Sequence, residues 1–131
     1  MSLSPDALRM YIVFRADLPE MTRAKGEVQA AHAAASLIYK GMENHPSRIK
    51  QYMGEFEDHV DQGQAKVCME VLDSVALYAM TAKLLDRGVP YVLIEDAAHT
   101  VFDKPTVTCL AFGPCGKTDG NAITRDARMR H

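Results

Sequence analysis

Four residues of this chain carry groups that could act together on a phosphate or a developing oxyanion: Lys25, Asp96, Thr100 and Thr108. Lys25 stands at the start of an Ala-rich segment of high helix propensity, so its ammonium sits beside backbone N–H groups that already favour anions. A cation so placed suits a phosphate or a developing oxyanion. Asp96 follows the apolar run Tyr91-Val92-Leu93-Ile94, which is flanked by Gly88 and Pro90. That run is too short for a helix and reads as a strand covered on both faces. Ligands of open α/β sheets bind beyond the carboxyl ends of strands, which makes Asp96, Thr100 and the returning Thr106 and Thr108 candidates. The carboxylate could orient or deprotonate a water, and the threonine hydroxyls could fix that water or a ribose. On residue types alone, a reactive lysine–aspartate pair and an ordinary surface ion pair are both open.

The elements that must position these groups follow from hydrophobic spacing. Met10 to Phe14 is apolar throughout and reads as a central strand. A helix is predicted from about Lys25 to Lys40, with Val28, Ala31, Ala35 and Ile38 on one face and five alanines between Ala30 and Ala35 that permit close approach to a sheet. His32 lies on or beside that face and reads as a buried histidine held by one hydrogen bond rather than as a catalytic group. Gly41 is expected to end the helix. Pro46 opens a second one with a stripe of Ile49, Tyr52, Met53, Phe56 and Val60, broken at Gly63. Ala65 to Val71 alternates as a second strand. Asp73 or Ser74 caps a third helix with Leu77, Met80 and Leu84 on one face, stopped by Gly88 and Pro90. Tyr91 to Ile94 and Val107 to Phe112 are the third and fourth strands.

The order β, α, α, β, α, β, β implies a largely parallel sheet with helices on its faces. The last strand follows a loop too short for a parallel crossover, so it is expected to run antiparallel. In such a sheet the loop entering the first helix and the loop leaving the third strand open on the same edge, which is what lets Lys25 meet Asp96.

Composition narrows the classes. The 131 residues, 47% hydrophobic, make one domain able to bury a real core, with a frayed or variable tail over 115–131. A net charge of -2 gives no bulk footprint of a nucleic-acid binder, although Arg23, Lys25, Lys40, Arg48 and Lys50 against Glu27 and Glu43 leave a local basic excess. Cys68, Cys109 and Cys115 form an odd set, two of them inside predicted strands, which points to a reducing, cytoplasmic setting. There is no apolar span of 18 residues, no secretion signal, and no CxxC or HxxxH pair, so neither a membrane partner nor a metal is expected. No nucleophile elbow, phosphate-cradling loop or dinucleotide fingerprint is present, and no cofactor is expected.

The segments MYIVFRADL, KGEVQAAHAA, GQAKV, IEDAAHT and TVTCLAFGP, taken together and in this order over about residues 10 to 114, resemble the second class of peptidyl-tRNA hydrolases, the archaeal and eukaryotic type. The resemblance implies cleavage of the ester joining a peptide to the 3′ end of tRNA. It implies a three-layer α/β/α fold with a four-stranded mixed sheet whose last strand is antiparallel, and a homodimer. The family's lysine falls on Lys25, with the spacing to Gln29 and His32 kept. Its aspartate falls on Asp96, and its two threonines fall on Thr100 and Thr108. Arg23, Gln29, His32 and His99 become candidates for substrate contact. The chain departs from the family in three places. Met21-Thr22-Arg23-Ala24-Lys25 lacks the glycines of the family's lysine loop, His99 and Ala98 replace an arginine and a glycine, and the segment after Pro114 matches no family element. A permanently charged guanidinium thus becomes an imidazole. Two rivals to the hydrolase remain: a non-catalytic tRNA- or protein-binding module on the same fold, and a hydrolase of a different small ester.

Overall fold

The computed structural model describes residues 7–54, 64–97 and 104–131. Its elements run β1 (Arg9–Arg15), α1 (Arg23–Asn44), α2 (Pro46–Tyr52), β2 (Lys66–Val71), α3 (Ser74–Arg87), β3 (Tyr91–Asp96), β4 (Thr106–Cys115), α4 (Lys117–Ile123) and β5 (Arg128–Met129). The strands form one mixed sheet in the order β3-β4-β1-β2-β5. β1 pairs parallel with β2, and β4 lies antiparallel between β1 and β3. The carboxyl ends of β1, β2 and β3 therefore share one edge of the sheet.

The sheet has five strands where four are expected from the sequence. β5 is only two exposed residues, held by the pairs Met69↔Met129 and Glu70↔Arg128, with Arg128 Nε 2.7 Å from Glu70 Oε1. Nothing so short shows in a hydrophobic pattern. The segment 115–131 is accordingly ordered into α4 and β5 rather than frayed. Gly120 is what admits α4, because a Cβ there would collide with the Tyr11 ring beneath it. This close approach buries Ile123 with few large apolar groups.

β3 is the edge strand, not one covered on both faces: Leu93 is half-exposed and Glu95 faces solvent. α1 is longer than the spacing predicts and presents a different face. Gly26, Gln29, Ala33, Leu37 and Gly41 are buried, while Val28 is 61% exposed. Gly41 does not end the helix; it lies within it, where Ile49 of α2 occupies the place of a side chain. The helix stops at His45, the residue before Pro46, where α geometry is disfavoured. Ile49 and Tyr52 of the second stripe are buried, Met53 is half-exposed, and Phe56, Val60 and Gly63 lie outside the described residues.

Two apolar layers flank the sheet. Met10, Ile12, Phe14, Ala33, Leu37, Tyr52 and Ala111 pack beneath α1 and α2. Tyr11, Val13, Leu77, Leu84, Leu110, Phe112 and Ile123 pack beneath α3 and α4. No helix among the described residues is long and apolar enough to cross a membrane.

Candidate functional site

The start of α1 is set by Thr22, which is extended and accepts a hydrogen bond from the Lys25 N–H through Oγ1 at 3.2 Å. The cap fixes the first turn, and the first turn turns Lys25 toward the end of β3. There Lys25 Nζ lies 2.6 Å from Asp96 Oδ2, with the two side chains 11% and 6% exposed. A pair this withdrawn from water recovers its desolvation cost only through good geometry, and apolar residues of similar volume would serve stability as well. Its place at the carboxyl edge of the sheet makes it the leading candidate for chemistry.

One turn along α1, Gln29 is buried against β4. Thr108, fully buried, donates from Oγ1 to Gln29 Oε1 at 2.7 Å, and the neighbouring Cys109 Sγ lies 3.9 Å from the Gln29 carbonyl. Two successive β4 side chains reach the same glutamine because the ladder slips: Ile94 pairs with Cys109 but Glu95 pairs with Val107. Thr108 is the extra residue of that bulge, which re-aims its side chain toward α1. Lys25–Asp96 and Gln29–Thr108 thus form two polar rungs across one seam between α1 and the β3–β4 pair. With Oε1 occupied by Thr108, the amide N–H groups of Gln29 are the donors it can offer a ligand.

The remaining candidates fall differently. His32 is exposed, not buried, because the inward face of α1 runs through Gln29 and Ala33 instead. Arg23 is 94% exposed and lies 3.5 Å from Glu27 one turn on. Thr100 and His99 lie outside the described residues. Among the described residues no three His, Cys, Asp or Glu side chains gather as a metal site would need.

The fold adds residues that sequence reasoning missed. Beside the first rung, a cleft of about 730 Å³ runs under the N-terminal half of α1, lined by Phe14, Met21, Gly26, Ala30, Cys68 and Arg130 among others. Burial pushes the Cys68 thiol up from its ordinary range. Arg130 arrives from just beyond β5 and no local signal marks it. Thr22 was legible, since a threonine three residues before Lys25 is an N-cap pattern. On the opposite face of the same edge, Arg15 grips Asp17 through Nε and Nη2 at 2.8 and 2.9 Å and holds that carboxyl below its usual range.

Comparison with known proteins converges on one family. The family described as Peptidyl-tRNA hydrolase PTH2 matches residues 8–129. A peptidyl-tRNA hydrolase of Saccharolobus islandicus is 32% identical over 124 residues, which cover 93% of this chain and 98% of that protein. One from Saccharolobus solfataricus is 32% identical over 122 residues with the same shares, and one from Sulfurisphaera tokodaii is 30% identical over 123 residues. A solved structure of a protein of unknown function from Agrobacterium tumefaciens matches with a TM-score of 0.55, covering 95% of this chain and 98% of its own. At 15% identity that likeness speaks to the fold alone.

Proposed function

The chain belongs to the peptidyl-tRNA hydrolase PTH2 family and is a hydrolase of peptidyl-tRNA, and we propose that its chemistry runs at the seam between α1 and the β3–β4 pair. In this reading Asp96 orients a water and takes its proton as the water oxygen adds to the ester carbonyl. Lys25, held against Asp96 at 2.6 Å and beside the N-terminus of α1, stabilises the negative charge that develops on the carbonyl oxygen. Collapse breaks the bond to the ribose oxygen. The proton returns to that oxygen, leaving a free peptide acid and a tRNA hydroxyl.

The second rung serves the first. Thr108 fixes the Gln29 side chain and, with it, the register of α1 against β4, so the lysine meets the aspartate without rearrangement. Gln29 then offers its amide N–H groups to the ester. Thr100, on the segment that follows Asp96, completes the reading as a hydrogen-bonding group near the scissile bond, with Arg23, His32 and His99 as outer substrate contacts. A homodimer in the cytoplasm belongs to the same proposal; exposed Leu72, Val75 and Tyr78 are surface that a second copy would cover, and the free thiols fit a reducing compartment.

The observation that carries the proposal is the withdrawn Lys25–Asp96 pair. Its test is release of peptide from N-acylated aminoacyl-tRNA by the purified chain. Lys25→Ala is expected to lower kcat/KM by at least about a hundredfold, the scale of a lost oxyanion donor. A parent that releases no peptide, or a variant as active as the parent, sinks it.

A further inference from the structure

Arg130 and Arg23 both line the cleft beside the Lys25–Asp96 pair, and of the two Arg130 is the one withdrawn from solvent. Its Cζ lies 4.2 Å from the centre of the Phe14 ring, and its backbone N–H donates to the Cys68 carbonyl at 3.2 Å. Nη2 reaches the backbone of α1 so closely that a Cβ at Gly26, the residue after Lys25, would lie 3.2 Å from it. The side chain is 21% exposed, so its planar head is held by packing rather than swinging in solvent. Its acidic neighbour does not satisfy it. Glu70 gives Oε1 to Arg128 at 2.7 Å and stands 3.6 Å from Arg130 Nη1, so two guanidiniums share one carboxylate. The nearby cations of α1 have carboxylates of their own, Arg23 with Glu27 at 3.5 Å and Lys25 with Asp96 at 2.6 Å. Of the cations at this corner, Arg130 is the withdrawn one whose carboxylate is shared with a second guanidinium.

We propose that the cleft between α1 and β1–β2 receives the 3′-terminal nucleotide of the tRNA, with Arg130 binding the phosphodiester on the 5′ side of that nucleotide. This rests on the hydrolase reading above and specifies which half of the substrate lies on which side of the reactive pair. The argument is one of invariance. The peptide half of the ester changes side chains from one substrate to the next and offers no fixed charge. The nucleotide half always carries a phosphate one ribose away from the ester. A rigid, forked cation beside the ester-cleaving pair matches the constant half, and a fork is the shape that grips two phosphate oxygens at once. About 730 Å³ is within the range of sites that hold ligands of nucleotide size, and Phe14, Met21 and Ala30 give the base and ribose apolar walls. Arg130 is on this account a binding residue that sets KM, packed against the residue next to Lys25 rather than on the reacting atoms.

The test uses the full chain and two pairs of small molecules. N-acylaminoacyl esters of adenosine 5′-monophosphate and of adenosine serve as substrates. Adenosine 5′-monophosphate and adenosine serve as product-side ligands in an NMR titration. The parent favours the phosphate-bearing member of each pair. Arg130→Gln is expected to cut that preference about tenfold, read in KM for the esters and in Kd for the products, with Arg130→Lys in between. Glu70→Gln, which withdraws the competing carboxylate, is expected to raise it. Equal losses on both members of a pair, no loss on either, or a changed preference for the peptide's last side chain overturns the assignment. The titration needs no turnover. A parent that cleaves neither ester counts against the hydrolase reading alone, while the phosphate preference is still decided by binding. A lowered melting temperature for Arg130→Gln leaves Arg130→Lys, which keeps the cation over Phe14, to decide the matter.

Discussion

Beneath α3 and α4 the sheet presents Tyr11, Val13, Leu110 and Phe112 to Leu77, Met80, Leu84 and Ile123, and Tyr11 stacks on Phe112 with ring centres 4.7 Å apart. Beneath α1 the corresponding layer is interrupted. Toward the N-terminus of that helix, Lys25, Asp96, Gln29 and Thr108 stand where a core would hold aliphatic groups. Polar burial is costly unless every group is paired, and here it is concentrated at one end of one face, with Thr124, which donates to the Gly120 carbonyl, the buried exception beside α4. The other face carries the apolar packing that offsets it. The division separates two kinds of failure: damage to the α3 face should cost stability, and damage to the α1 rungs should cost turnover out of proportion to stability.

The largest stability effect is expected from Leu84→Ala, because Leu84 is wholly buried on α3 and its loss leaves a cavity in the apolar layer. About 2–5 kcal/mol should disappear from the unfolding free energy. Denaturant titration measures that loss, and kcat below the new melting point should match the parent. Should kcat fall in step with stability, the two faces are coupled and the division fails. Lys25→Ala is the mirror image, since its loss of turnover is the principal effect.

A smaller effect sharpens the contrast from the other side. Thr108→Val keeps the shape of the side chain but removes the hydroxyl that donates to Gln29 Oε1, leaving a buried acceptor unpaired. The expected cost is about 1–3 kcal/mol of stability. Turnover measured well below the melting point should nonetheless drop, because Gln29 no longer holds α1 in register. Thr108→Ser, which restores the donor, should recover most of it. An unchanged kcat in the valine variant would reduce the second rung to ordinary core packing.

Much of this arrangement was legible in residue order. The apolar runs of β1, β3 and β4 and the cap Asp73 follow local rules, and the short loop before β4 forced its antiparallel course. Strand order alone made Lys25 and Asp96 plausible neighbours, and the structure brings them to 2.6 Å. What did not show in the sequence depends on exceptions to period. The bulge that turns Thr108 toward α1 changes no residue type. The buried face of α1 is carried by Gly26, Gln29 and Gly41, which no hydrophobic scale selects, so the predicted face through Val28 and Ala31 was displaced and His32 was placed inside rather than outside. β5 is joined to β2 through Glu70, and Arg130 is seated over the Phe14 ring, contacts that no hydrophobic period announces.

The two faces also carry one buried thiol each, which gives the finest probe of the division. Cys109 packs in the layer beneath α1 and Cys115 in the layer beneath α3 and α4. Burial comes first among the causes that push each thiol up to about 12 from an ordinary value of 9.0. A raised folded value favours the neutral thiol, so its contribution is fully present below pH 9 and is lost as pH rises toward 12. The denaturation midpoint should therefore fall over that alkaline window, with buried Tyr11 and Tyr52 adding to the upper part of the same loss. Alanine at either cysteine should flatten the profile slightly. Alkylation at pH 8 separates the faces more directly. Cys115, in an uninterrupted apolar layer, should react only as fast as the whole domain unfolds. Cys109 touches Gln29 on the seam that must admit substrate, so local opening there should make it react sooner. Equal rates for the two thiols would mean that the polar rungs open no more readily than the apolar face, and the seam would then be as rigid as the core it interrupts.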